Sequence, residues 1–159
     1  MLLLTDIAVK VSKTALWATV LWAFLHMAGG GLPVGDGRLY DVILLPVSPG
    51  YEILKYDQFV HFIGFAAATL LMFELLQPVF KPGHRSWVRV SIVIVMAGLG
   101  VGALNEIVEF FATVITPETG VGGYINTSLD LVFDLFGALA MMSYIYWRDR
   151  KKENEPVQP

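Results

Sequence analysis

Asp57 and His61 stand four residues apart in YDQFVHFIGF, at the head of a long apolar run. Four residues is one helical turn, so the acid and the imidazole share one face. The same spacing recurs twice. Glu106 and Glu109 lie three apart in NEIVEFF, with Asn105 four before Glu109, and Asp130 and Asp134 lie four apart. Carboxylates and an imidazole in such pairs can hold a divalent cation through oxygen and one ring nitrogen. They can also exchange protons as general acid or base, or bond across helices and fix a bundle.

The elements that must position them are hydrophobic. The chain has 159 residues, 55% of them hydrophobic, against ~45–50% in soluble domains. The segments Ile7–Met27, Asp57–Phe80, Trp87–Ile115 and Ser128–Trp147 each cover the ~20 residues a helix needs to cross a bilayer. SIVIVMAGLGVGAL lacks the polar stripe of a soluble surface helix. Only helices or closed barrels satisfy their backbone in lipid. The expected fold is therefore all-α: a polytopic membrane bundle of four transmembrane helices. Residues 1–147 form one domain, and 148–159 form a charged, poorly ordered cytoplasmic tail, RDRKKENEPVQP. The first span has Lys10 and Lys13 ahead of its apolar stretch and ends in MAGGG, but no A-x-A site follows, so it reads as a retained helix. With no cysteine there is no disulfide. A net charge of −3 and the lack of a basic, aromatic-rich surface motif exclude a nucleic-acid partner.

Lys and Arg set the orientation. Nine of them (Lys10, Lys13, Lys81, Arg85, Arg89, Arg148, Arg150, Lys151 and Lys152) fall on one side of the four spans, and two (Arg38 and Lys55) on the other. Both termini are expected in the cytoplasm, with residues 28–56 and 116–127 outside, in a multi-pass protein of the cell's inner membrane. LYDVILLPVSPGYEIL is too apolar for a free loop and too broken by proline for a span. It either anchors in the interface, with Tyr40, Tyr51 and Tyr56 at headgroup depth, or caps a site. GLGVGA at 98–103 has no strand before it, so its glycines read as close helix packing by Gly98 and Gly102.

In this topology the polar pairs converge. At ~1.5 Å per residue, Glu106 lies about 25 Å above Val90, in the outer part of a ~30 Å hydrocarbon core. Asp57 and His61 enter the second span from outside, and Asp130 and Asp134 the fourth. Five carboxylates at one depth, without Lys or Arg, need compensation. Some are protonated, or His61 is cationic and pairs with one, or a divalent cation sits among them. The candidate ligands are Asp57, His61, Glu106, Glu109 and Asp134. Glu106 and Glu109 are candidate general bases, and Asn105, Asp130, Tyr124 and Asn126 are supporting residues. Plainer roles compete: Asp57 and Asp130 as N-caps or as first-turn acids favoured by the helix dipole, His26 as an interfacial helix end, and Glu74 as a solvated acid at the inner interface.

YDQFVHFIGF, NEIVEFF and GGYINTSLDLVFDLFGALA resemble the YjdF-type inner-membrane proteins and, more loosely, the VanZ-like membrane proteins. The shared pattern falls on Asp57, His61, Glu106, Glu109, Asp130, Asp134 and Gly137, and Tyr124 matches an aromatic before the last span. The resemblance covers about residues 55–145 and implies a membrane-embedded protein linked to cell-envelope lipids. Three functions are consistent with these residues. The first is a site for a divalent metal and a lipid or phosphate headgroup, in an envelope-lipid hydrolase or modifying enzyme. The second is a proton- or cation-handling protein. The third is a structural or regulatory subunit, working as a homo-oligomer or with a membrane partner.

Overall fold

The computed structural model describes residues 11–48, 50–80, 86–116 and 123–154. Four long helices carry the fold: α1 (Lys13–Gly31), α2 (Tyr56–Leu76), α3 (Trp87–Ile115) and α4 (Tyr124–Asn154). Helix α2 packs against all three others, and α4 also packs against α3. A 3₁₀ turn at Gln77–Val79, with proline in it, ends α2 because proline cannot continue the hydrogen-bond ladder.

Glycines let the helices approach. A Cβ at Gly137 of α4 would collide with the Phe62 carbonyl of α2. A Cβ at Gly64 would meet Trp22 of α1, and one at Gly98 would meet Thr69. The apolar core lies beside these seams and contains Ala15, Leu70, Phe73, Val90, Ile94, Ala138, Met142 and Ile145.

Among the described residues, three helical segments are long and apolar enough to cross a membrane: Tyr56–Val79, Trp87–Ile115 and Tyr124–Lys151. The expected first span begins at Ile7, outside the described residues, and its described helix runs four residues past Met27 to Gly31. Helix α4 extends the expected fourth span at both ends. Residues 148–154 of the expected unordered tail are therefore helical, while 155–159 lie outside the described residues.

Glu74 corrects another expectation. It is buried, and its Oε2 accepts the Ser12 backbone N–H at 2.8 Å. The Ser12 hydroxyl in turn accepts the Ala15 N–H at 3.1 Å as the N-cap of α1. A carboxylate from the end of α2 thus satisfies an N–H at the start of α1, where the helix dipole also favours negative charge.

The loop between α1 and α2 folds back on the bundle. Strands β1 (Pro33–Val34) and β2 (Gly37–Arg38) form a two-residue antiparallel ladder, a small departure from an all-helical chain. Gly35 takes φ +58° in the turn, where L-residues are strained. A 3₁₀ turn at Leu39–Asp41 follows. The Tyr40 ring lies where a Gly29 side chain would stand. Its hydroxyl donates to the His26 carbonyl at 2.8 Å and lies 2.7 Å from His26 Nδ1. The loop's far end is tied by Tyr56 N–H to the Val42 carbonyl at 2.8 Å and Leu44 N–H to the Leu54 carbonyl at 2.9 Å.

Candidate functional site

The first turn of α2 starts the site. Lys55 is the N-cap, not Asp57, and its backbone N–H donates to Gln58 Oε1 at 2.6 Å. Asp57 sits in the first turn, and His61 one turn deeper. His61 Nε2 lies 4.0 Å from Asp57 Oδ1, as the spacing requires. On its other side, Nδ1 lies 2.9 Å from Asp134 Oδ1 of α4 and 3.8 Å from Glu106 Oε1 of α3. His61, Glu106, Asp130 and Asp134 are all buried. Three helices thus bring their acids to one imidazole.

Asn126 completes the upper layer. Its amide Nδ2 donates to Asp57 Oδ2 at 3.0 Å and to Asp130 Oδ2 at 2.6 Å. Asn105 Nδ2 donates to Glu109 Oε1 at 2.7 Å along α3. Asp130 lies in the second turn of α4 and is buried, so it is no N-cap. Tyr124 is 87% exposed at the start of α4 and stands apart from the cluster. His26 is not a bare helix end but the partner of Tyr40.

Gly102 makes room for the site. A Cβ there would run into Asp134 Oδ2, so α3 can pass close to the acid. The sequence signalled Gly102 only as a packing residue. Gln58, also buried at this end, carried no sequence signal.

Several buried atoms here have no hydrogen-bond partner among the described residues: both oxygens of Glu106, Asp130 Oδ1, Asp134 Oδ2 and Gln58 Nε2. The Thr127 side chain lies near Glu106 without completing a bond to it. Buried polar atoms are usually paired, and an orphaned one costs ~1–3 kcal/mol, more when charged. Two trios offer ligand atoms within 4.8 Å of one another: Asp57, His61 and Asp130, and His61, Glu106 and Glu109.

Above the cluster lies a cavity of about 830 Å³. Asp57, Asn105, Glu109 and Asn126 are among its lining residues, together with His26, Arg38, Tyr40 and Lys55 from α1, the loop and the α2 cap. Lys55 pairs with Glu52. Burial, and then the charges of Asp57 and Glu109, push the Tyr40 phenol above its usual range. It stays protonated and able to donate. The loop therefore walls the site rather than only anchoring in the interface.

Long apolar helices enclosing a buried polar cluster fit the class of integral membrane proteins. Residues 1–151 match the family described as Predicted membrane protein (DUF2238), the YjdF-like domain family, and the chain belongs to it. Nothing found supports the looser VanZ likeness. An uncharacterized protein of Thermotoga maritima is 33% identical over 105 residues, covering 64% of this chain and 51% of that protein. The chain thus spans about half the length of this relative. No solved structure matches it.

Proposed function

We propose that this chain holds a divalent metal ion in a pocket at the outer face of the inner membrane and presents it to a phosphate-bearing group, on a lipid headgroup or free. The orphaned buried carboxylate oxygens carry this reading. An ion bonded to Asp130 answers its orphaned Oδ1 and offsets part of the crowding of like charge.

The hydrogen bond at His61 divides the labour. Nδ1 faces Asp134 at 2.9 Å, so Nδ1 carries the proton and Nε2 is left as the ligand atom. A metal-bound imidazole commonly donates its other N–H to a carboxylate in this way. Asp57 and Asp130 form one trio with His61, and Nε2 is the ring nitrogen 4.0 Å from Asp57 Oδ1. We assign Asp57, His61 and Asp130 as ligands and Asp134 as the residue that positions the ring. This moves Asp130 from support to ligand and Asp134 from ligand to support. An ion open to the cavity could activate water against a phosphate ester, in an envelope-lipid hydrolase or modifying enzyme.

The same reading keeps four spans with cytoplasmic termini. Helix α1 packs on α2 and leaves Leu16, Trp17, Val20, Leu21, Phe24 and Met27 exposed, a surface suited to lipid. A proton or cation path has less support. The buried middle of the bundle is apolar, and Thr69 there is spent on the Phe65 carbonyl at 2.6 Å.

Metal content of the purified chain tests the proposal. About one or more tightly held divalent ions per wild-type chain, lost in His61→Ala, supports it. Equal, near-zero content in both removes it.

A further inference from the structure

One ion at Asp57, His61 and Asp130 leaves much of the buried charge unanswered. Five carboxylates stand at this level, from Asp57, Glu106, Glu109, Asp130 and Asp134, and one divalent ion offsets two of their charges. No Lys or Arg lies at this depth among the described residues of the spans. Arg38 and Lys55 line the cavity from the loop and the α2 cap, and Lys55 already pairs with Glu52.

The unanswered charge is concentrated on α3. Glu106 is only 8% exposed, and neither of its oxygens has a hydrogen-bond partner among the described residues. Glu109, one turn further on, is held in place by Asn105 at 2.7 Å. Their ligand oxygens and a His61 nitrogen lie within 4.8 Å of one another. Atoms that close can share one ion, whose ligands stand no further apart than about twice a 2.0–2.6 Å metal–oxygen bond. His61 belongs to both trios, so the two groups of ligands are neighbours.

We infer that Glu106 and Glu109 hold a second divalent cation beside the first, giving a two-ion centre. This rests on the first ion being bound, and it makes the two glutamates ligands rather than general bases. Paired ions of this kind sit ~3.5–4 Å apart and clamp the oxygens of a phosphate ester from both sides.

The test uses the full chain in detergent, loaded with Mn²⁺ and freed of excess metal by gel filtration. Manganese per chain is measured by mass spectrometry and ion–ion coupling by electron paramagnetic resonance. Two ions per wild-type chain with an exchange-coupled spectrum are expected. Glu106→Gln, nearly isosteric, should keep one ion and show an isolated-ion spectrum. One ion in the wild type overturns the second site and leaves the first standing, while none overturns both. Two ions in Glu106→Gln, undiminished, also overturn it. Should that variant not fold, the wild-type count and coupling decide alone.

Discussion

The two ends of the bundle use the same helices and treat buried polar groups in opposite ways. Toward the start of α3, Glu74 accepts the Ser12 N–H, and Asp149 lies 2.8 Å from the Arg148 guanidinium. Toward the other end, Gln58, Glu106, Asp130 and Asp134 each keep at least one orphaned atom among the described residues. A polar group kept for structure gains by being fully satisfied. A polar group kept for a ligand is left open until the ligand arrives. The contrast separates structural polarity from a binding site more sharply than burial does, since both ends bury their acids.

The largest effect should come where both ends depend on one seam. Gly137→Leu would force α4 away from the Phe62 carbonyl and should cost about 3 kcal/mol, the upper end of the usual overpacking range, seen as loss of folded protein on size-exclusion chromatography. Retention of a native melting curve would mean the helices are less closely set. Next comes the division of labour at His61. Asp134→Asn should weaken metal affinity ~10–100-fold while leaving binding detectable, as for other residues that orient a ligand. Complete loss, as in His61→Ala, would return Asp134 to the ligands.

The contrast itself predicts a reversal of sign in the metal-free protein. Glu74→Ala should lower stability by ~1–3 kcal/mol by orphaning the Ser12 N–H, with metal content unchanged. Glu106→Gln should leave the melting temperature equal or raised, because it removes an unpaired buried charge. A drop in both would make the acids around His61 bundle-fixing groups. The smallest effect is expected at Tyr124→Ala. This site is exposed, so both stability, within ~0.5 kcal/mol, and metal content should hold.

The acids and His61 were legible because helical spacing alone puts Asp57 with His61 and Asp130 with Asp134 on shared faces, and an apolar surround makes each polar residue conspicuous. Their separate roles were not legible. Which oxygen meets which ring nitrogen depends on rotamers and on how closely Gly102 lets α3 approach. The Glu74–Ser12 bond spans 62 positions, and a lone acid near a helix end carries no mark of such a partner. The seating of Tyr40 at Gly29 was hidden likewise. Hydropathy marked the apolar middle of α4 but not its ends. Asn126 and Thr127 at one end and Arg148–Asn154 at the other are polar or charged, yet they continue the same backbone ladder, and apolarity alone does not show where a ladder stops.

Anomalous diffraction at the manganese edge, from crystals of the Mn²⁺-loaded wild-type chain, tests the metal centre most directly. A peak within bonding reach, ~2.0–2.6 Å, of His61 Nε2 and of carboxylate oxygens of Asp57 and Asp130 is the expected result. No anomalous signal there, with waters or direct hydrogen bonds satisfying Glu106, Asp130 and Asp134 instead, would contradict it.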